Sequence, residues 1–453
     1  MHNDSSLEKS VDLDQAHDFL ANHVQNGPAS DADIEHLTRT IDCHIMPILF
    51  SVYFVQALDK QLLNYAAVMG LTKDLHLASN DFSNLATYLF VALIIAEVPT
   101  VYILNKVPVV KWLSINAYYR KDHQGSRFLL WRSAIGLDVI IGGLLSFAFQ
   151  HVHNAALASW KILFLLLGCL SIAFGLCLFV CLPDTPMHAK FLSDQQKVAL
   201  LHHISVNKTG VRATTFRLRQ VVDFLRDPQI WLLTIATILT TISTGVTLSY
   251  SSQLIAGFGF SPKQAALLNM PSGAVTIVAA FVIGGALNTR LPRCFIIASG
   301  NLVAIIVACL VGFAPSHKHA ALLAGIYLVN ITSPVLFTIY QWASANVAGH
   351  SKRTMTMALI TMAFSAGSLI GPQTFRAKDK PEYRPAKIAL IATQAGCAFL
   401  CCVLGAYYSW TNKRRDAKYG EETVLGDSSG SADDVKTWEN LTDIERTSFR
   451  YMT

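Results

Sequence analysis

Charged residues are scarce in this sequence, which limits the kinds of protein that it can encode. Asp, Glu, Lys and Arg make up only 15% of the 453 residues, whereas hydrophobic residues make up 52%. The mean hydropathy of +0.39 is far above that of an ordinary soluble domain of this length. The composition therefore predicts an integral membrane protein with the lipid bilayer as its surroundings.

Spacings typical of metal sites, disulfide frameworks and enzyme motifs are also missing. The nine cysteines form no CxxC pair and no Cys/His ligand set, and eight of them lie within or at the edge of apolar segments. We interpret these cysteines as small apolar packing residues. Because no nucleophile motif or phosphate-binding loop is evident either, we predict no enzyme activity, no cofactor and no bound metal.

The first 40 residues lack the apolar run of a signal peptide. Their polar, mixed-charge composition predicts a cytoplasmic tail, and its last part has the apolar spacing of a helix lying along the membrane face. The net charge is +6, but the basic residues form short clusters between apolar segments, as they do in cytoplasmic loops. Nucleic acid is therefore not an expected partner.

Ten apolar segments are long enough to cross a hydrocarbon core of roughly 30 Å. They comprise residues 45–69, 85–106, 128–150, 160–182, 230–256, 266–288, 293–314, 320–344, 355–375 and 386–410. Most basic clusters fall in alternate connections, which places that side and both termini in the cytoplasm. We predict an all-α polytopic membrane protein.

The longest connection divides these spans into a group of four and a group of six. The predicted regions are a cytoplasmic N-terminal tail (1–43), an N-terminal half (44–182), a central cytoplasmic loop (183–229), a C-terminal half (230–410) and a cytoplasmic C-terminal tail (411–453).

An acid and a base stand side by side near the middle of the first span, in FSVYFVQALDKQLLNY (50–65). An ionised Asp or Lys at the centre of a span costs about 2.5 to 3.5 kcal/mol, so we expect Asp59 and Lys60 to face a polar interior. They form either a structural charge pair or the lining of a translocation path. Successive helical residues diverge by about 100°, so we expect one to face the cavity and the other a neighbouring helix.

Glu97, in the second span, is the other acid that we consider for proton coupling, with Lys60 as the group that attracts an anion. The rise of 1.5 Å per residue places Asp59 and Glu97 roughly 9 Å apart in depth, which favours a relay through water over direct contact. Amides bind carboxylate or ureido groups, although bonds between helices are their commoner role. The amide candidates are Gln61, Asn269, Gln341, Asn346 and Gln373.

Several stretches resemble signature sequences of the fungal allantoate permease family, a branch of the anion:cation symporters within the major facilitator superfamily. They include LDKQLLNYAAVMGL (58–71), GFGFSPKQAALLNMPSGAV (257–275), SANVAGHSKRTMTMAL (344–359) and GSLIGPQTFRAKDKPEYRPA (367–386). The resemblance implies a major facilitator-type helical bundle and proton-coupled uptake of a small organic anion such as allantoate, ureidosuccinate or nicotinate. The implied partners are the anion and protons, the implied location is the plasma membrane with an internal membrane as the alternative, and we expect a monomer.

The sequence departs from the family pattern between Ala117 and Tyr118. About 45 to 50 residues are absent there, enough for two spans, which correspond to the third and fourth helices of the family's twelve. The bundle is thus an incomplete, four-plus-six version of the six-plus-six fold. This departure leaves open a shortened family member that does not transport and acts as a sensor, a partner or a non-functional product.

Asp138 in the third span is a second departure, since small or apolar residues are usual there in the family. We interpret it as a packing misfit or a protonated carboxyl group in preference to a substitute acid.

Overall fold

The structure is a computed structural model. It describes residues 31–77, 81–106, 133–152, 156–181, 189, 191–205, 218–289, 291–313, 319–374, 384–419, 441–446 and 448–453. The junction of Ala117 with Tyr118 and the acidic stretch GEETVLGDSSGSADD (420–434) lie outside these ranges.

The described residues form helices joined by short connections. In chain order the helices are α1 (Asp31–Ala66), α2 (Asp81–Lys106), α3 (Ala134–Phe149), α4 (Ser159–Cys181), α5 (Asp194–Ser205), α6 (Leu218–Arg226), α7 (Pro228–Gly257), α8 (Pro262–Leu287), α9 (Arg293–Phe313), α10 (His319–Leu328), α11 (Thr332–Asn346), α12 (His350–Gln373) and α13 (Arg384–Tyr419). A π-helical turn (Ala67–Leu71) and a short helix (Thr72–Asp74) extend α1, and a 3₁₀ turn (Val329–Ile331) joins α10 to α11.

Each of the ten predicted spans coincides with one of these helices, the eighth being formed by α10 and α11 together. Within the described ranges, seven helical stretches are long and apolar enough to cross a membrane, and two further apolar helices are shorter. The all-α, membrane-spanning architecture is therefore confirmed. Long apolar runs predict it reliably because a backbone inside a bilayer must satisfy its own hydrogen bonds.

The first helix differs from the expectation of a separate surface helix before the span. α1 runs without interruption from Asp31 through Pro47 to Ala66. Leu37, Ile41 and Ile45 recur at every fourth position and are all buried. This face packs in part against α5 of the central loop, so the start of α1 belongs to the core rather than to the membrane surface.

The two halves of the bundle contact each other along paired helices: α3 lies along α8, α2 along α12, and α1 against α7. The contact between α3 and α8 is close because Gly136 and Gly273 face each other. A Cβ atom built on Gly273 would overlap the carbonyl oxygen of Gly136. The absence of side chains at these two positions is what lets the backbones approach.

Polar side chains join the halves at the predicted outer ends of the helices. The Asn64 Nδ2 atom donates to Ser251 Oγ at 3.0 Å and to Ser252 Oγ at 3.1 Å. Gln373 Nε2 donates to Thr87 Oγ1 at 2.9 Å, which connects α12 to α2. These bonds close the outer end of the interface between the halves.

Residues 441–453, here named the C-terminal segment, fall in the predicted cytoplasmic tail but dock against the C-terminal half. Asp443, Phe449 and Tyr451 are buried. Trp342 Nε1 donates to the carbonyl oxygen of Met452 at 2.7 Å. α13 also continues to Tyr419, beyond the predicted end of the last span. The sequence of this segment does not predict the docking. It is short and polar, and its few apolar residues become buried only through contact with helices from other parts of the chain.

A buried three-charge cluster anchors the C-terminal segment. The Lys352 ammonium group lies 2.6 Å from Asp227 Oδ2 and 2.7 Å from Asp443 Oδ1, and all three side chains are at most 1% exposed. Tyr451 donates its hydroxyl hydrogen to Asp443 Oδ2 at 2.8 Å. Burial, and then the charge of Asp443, raises the pKa of Tyr451, so this hydroxyl group remains a donor.

Candidate solute cavity between the two halves

A partly enclosed cavity lies near the middle of the bundle, between its two halves. The space that the centre of a water molecule can occupy here amounts to about 40 Å³. Helices α1 and α3 line one side, and α7, α11, α12 and the 3₁₀ turn line the other. The outer hydrogen bonds of Asn64 and Gln373 lie about one to three helical turns beyond the lining residues of the same helices. The cavity therefore lies on the predicted cytoplasmic side of these bonds, within the interface between the halves.

Lys60 provides the positive charge of the cavity. Its ammonium group lies 5.4 Å from the centroid of the Phe364 ring, and both residues belong to the lining. An aromatic face stabilises a cation without neutralising it. Lys60 is thus the lysine of the cavity lining.

Asp59 points away from the cavity, although it neighbours Lys60 in sequence. Ser171 of α4 donates a hydrogen bond to Asp59 Oδ2 at 2.8 Å, on an exposed flank of the N-terminal half. The divergence of the two side chains is the one that helical geometry predicts. Asp59 thus bonds to α4, whereas Lys60 faces the cavity. The two residues do not line the cavity together as an ion pair.

Three buried polar side chains that line the cavity have atoms without a hydrogen-bond partner. These atoms are Gln61 Oε1, Thr244 Oγ1 and both carboxyl oxygens of Asp138. Gln61 is 4% exposed, Thr244 8% and Asp138 0%. Buried polar groups are normally hydrogen-bonded, so a group of unsatisfied atoms around one cavity calls for an explanation. These atoms give the cavity wall a hydrogen-bonding capacity that the described side chains leave unused.

Tyr65 positions Asp138 at the cavity. The Tyr65 hydroxyl group donates to the carbonyl oxygen of Val139 at 2.7 Å, and its ring lies over Gly142, where a Cβ atom would overlap it. This contact sets the position of α3 against α1, one residue from Asp138. The structure thus places Asp138 in the cavity wall, which changes our interpretation of it as a packing misfit.

The other predicted site residues occupy several places. Glu97 on α2 is partly exposed and lies within electrostatic range of Lys60, but it is outside the cavity lining. Asn269 is buried in α8, where its Oδ1 atom accepts from Ser272 at 3.3 Å. Gln373 joins the outer ends of α12 and α2.

Gln341 and Asn346 lie at the predicted cytoplasmic end of α11. Arg293 Nε donates to Gln341 Oε1 at 2.8 Å. Asn346 forms two hydrogen bonds with the backbone of Met452, at 2.9 Å and 2.7 Å. Neither amide belongs to the cavity lining, and their bonds hold helix ends and the C-terminal segment. Of the eight predicted residues, only Lys60 and Gln61 line the cavity.

Sequence reasoning missed several polar lining residues. They are Tyr53, Gln56, Thr244, Thr247 and Ser333. Asn330 also lines the cavity. On α1 a signal was present, since Tyr53, Gln56 and Lys60 recur at the spacing of one helical face. The lining residues of the other helices come from distant parts of the chain, and only their packing brings them together. Among the described residues no group of side chains is suited to hold a metal ion.

The comparisons with known proteins agree with this architecture. The family model described as Major Facilitator Superfamily matches residues 113–372. The Thiamine pathway transporter of Saccharomyces cerevisiae is 32% identical over 481 aligned residues, which cover 96% of this chain and 90% of the relative. The Allantoate permease of the same yeast is 29% identical over 488 aligned residues, which cover 95% of this chain and 89% of the relative.

A bacterial homologue of the human lysosomal transporter Spinster, in its inward-facing and unoccupied conformation, superposes with a TM-score of 0.47 at 13% sequence identity, over 84% of this chain and 97% of that chain. The family match covers more than half of this chain, and the relatives named above are membrane transporters or permeases rather than enzymes. This chain therefore belongs to the Major Facilitator Superfamily of multi-pass membrane transporters.

Proposed function

We propose that this transporter takes up a small organic anion together with protons, by binding it in the cavity between the two halves. The observation that carries this proposal is Lys60, a cation held over Phe364 at the wall of a cavity that both halves share. A carboxylate that binds there is attracted by the ammonium charge in a region of low dielectric constant. Movement of the two halves about such a site is how transporters of this general architecture work.

The unsatisfied lining atoms favour an anion that also carries hydrogen-bond donors. Gln61 Oε1 can only accept, and the Thr244 hydroxyl group both donates and accepts. A carboxylate with ureido or amide N–H groups fits this set, which supports allantoate or ureidosuccinate ahead of nicotinate. The relative named Allantoate permease supports the same class of solute. Uptake of a nutrient anion also favours the plasma membrane as the location.

Uptake of radiolabelled allantoate, ureidosuccinate and nicotinate in a host without its own permeases tests this proposal. We expect uptake that increases as the outer pH falls. Lys60→Met removes the charge without removing the apolar stem, and we expect about a 10- to 100-fold loss of uptake at low solute concentration. Lys60→Arg keeps a charge and is expected to retain part of the activity.

Lys161→Met is the matched control, because Lys161 is an exposed lysine at the start of α4, where it lies over Trp160. We expect uptake by this variant at the wild-type level. No uptake of any of the three anions by the wild-type protein, with its presence in the membrane verified, would refute the proposal. Equal losses in the two lysine variants would show that Lys60 has no specific role.

A second candidate function is a shortened family member that does not transport. Two observations favour it. The alignment with the Thiamine pathway transporter spans 481 positions, more than the 453 residues of this chain, so part of that relative has no counterpart here. Asp59 and Ser171 also lie on an exposed flank of the N-terminal half, where a further helix would cover them. Sequencing of the transcript around codons 117 and 118 tests this candidate, since an in-frame exon for two spans would support it.

A further inference from the structure

We propose that Asp138 is the residue that carries the coupled proton, as a carboxyl group inside the solute cavity. This inference rests on the proposed transport of an anion and assigns the proton step of that transport to one residue. Asp59 and Glu97, the acids that the sequence singles out, do not line the cavity. Asp138 is the carboxyl group that does so among the described residues.

The surroundings of Asp138 favour a carboxyl group that changes its protonation state. The side chain is fully buried, and neither of its oxygens has a hydrogen-bond partner. An ionised carboxylate in that condition is costly, so Asp138 holds a proton while no ligand or water supplies a donor. A structural carboxylate would instead be paired, as Asp227 and Asp443 are paired with Lys352 in this protein.

The charged and titratable groups around Asp138 come mainly from α1. Lys60 lines the same cavity, and Asp59 and Tyr65 lie within electrostatic range. α8, which packs along α3, carries one charged side chain, Lys263, at its first turn. α4 carries one as well, Lys161, near its first turn, together with its cysteines. Lys60 and Asp59 are therefore the charges that act on Asp138 at its own depth.

Coupling follows from the sharing of one cavity by Lys60 and Asp138. When Asp138 is ionised, its negative charge competes with an organic anion for the attraction of Lys60. When a proton from the outer solution binds to the carboxylate, that repulsion disappears and the anion binds more tightly. By reciprocity, a bound anion favours the protonated carboxyl group. After the cavity opens to the cytoplasm, the proton leaves the carboxyl group for water and the anion is released with it.

Transport assays in proteoliposomes that contain the purified protein distinguish movement of the anion from its coupling to protons. The probes are radiolabelled allantoate, ureidosuccinate and nicotinate. In the wild-type protein, one proton that moves with one monovalent anion across a pH difference of one unit supports about tenfold accumulation. For Asp138→Asn we expect an accumulation ratio of about 1, with measurable exchange of labelled for unlabelled anion in the absence of a gradient.

Asp59→Asn is the matched control, because Asp59 is an aspartate on the same level that bonds to Ser171 outside the cavity. Because Asp59 acts on Asp138 only through its charge, we expect this variant to keep proton-driven accumulation and to change only the pH at which accumulation is greatest. Asp138→Ser, which is smaller and cannot overlap its neighbours, replaces Asp138→Asn if the latter does not fold. Asp138→Glu keeps a carboxyl group and is expected to restore accumulation in part.

Wild-type accumulation by both Asp138→Asn and Asp138→Ser would overturn the assignment of the proton to Asp138 and leave the transport proposal intact. Loss of accumulation in Asp59→Asn with retention in Asp138→Asn would move the role to Asp59. Absence of exchange in the wild-type protein with all three anions would overturn the transport proposal and this inference together.

Discussion

The contacts that connect the helices within the C-terminal half differ from those within the N-terminal half. In the C-terminal half, the C-terminal segment and the three charges of Lys352, Asp227 and Asp443 connect the predicted cytoplasmic ends of α7 and α12 through buried ion pairs. In the N-terminal half, α4 exposes a broad apolar surface and contributes the exposed bond between Ser171 and Asp59. The exposed apolar side chains of α4 are Phe164, Leu165, Leu166, Leu170, Ile172 and Leu176.

This difference indicates a division of labour between the halves. The buried ion pairs and the docked segment connect several helices of the C-terminal half. The N-terminal half contributes Lys60 and Asp138, the lysine and the aspartate of the cavity lining. The ion pairs of Lys352 and the proposed proton-binding and anion-attracting residues thus lie in different halves, and three substitutions test whether the halves also differ in what stabilises them.

Replacement of Lys352 by Met is expected to have the largest effect on stability. It leaves two carboxylates, Asp227 and Asp443, buried beside each other without a counter-charge, and removal of one partner of a buried pair costs about 3 to 5 kcal/mol. Thermal unfolding of the purified protein in detergent measures this loss. The triple variant K352M/D227N/D443N removes all three charges and should regain most of the stability.

If the triple variant lost as much stability as Lys352→Met, this explanation would be contradicted, because the triple variant contains no unpaired charge at this site. A negligible loss in Lys352→Met would show instead that the C-terminal half is not held by its ion pairs.

Replacement of Tyr451 by Phe is expected to cost about 1 to 2 kcal/mol, because Asp443 loses one of several donors but keeps Lys352. Since the folded-state pKa of Tyr451 is raised, the contribution of its hydroxyl group is complete below the ordinary tyrosine value of about 10 and is lost only as the pH rises above it. Thermal unfolding of Tyr451→Phe and wild-type protein at several values from pH 6 to 9 should give a constant difference.

A difference that shrinks between pH 6 and 9 would show that the hydroxyl group ionises within that range. Such a result would place Tyr451 in contact with water.

Replacement of Ser171 by Ala is expected to have the smallest effect, about 0.6 kcal/mol, because it removes a single hydrogen bond between two membrane helices. Unfolding temperature and anion uptake should both remain close to the wild-type values. A loss larger than that of Tyr451→Phe would show that this bond holds the N-terminal half together and would remove the contrast between the halves.

Individual residues show how far sequence reasoning reaches here. The run of apolar residues around Lys60 predicts a span, and the polarity of Lys60 itself predicts that it faces inward. Helical spacing then predicts that Asp59 and Lys60 diverge, as the structure shows. Spacing does not reveal which of the two faces the cavity, because that depends on where α4 and α12 pack.

The amides illustrate the opposite case. Asn346 has the residue type of a solute-binding group, yet its two bonds hold Met452, which lies 106 residues further along the chain. An amide bonds equally well to a solute or to a backbone, so its chemistry alone does not determine its role. Asp138 shows the same limit, since an unusual acid in a span is interpretable only once its neighbours are known.

The sequence by itself determined that this protein is helical, spans a membrane many times and resembles a family of anion transporters, because apolar length, charge placement and motifs are local properties of the chain. Only the tertiary structure decided which polar groups share a cavity, that Asp138 is one of them, and that the C-terminal segment closes over Lys352. These arrangements join residues from distant segments. Burial strengthens the interactions of their charges, and burial exists only after the helices have packed.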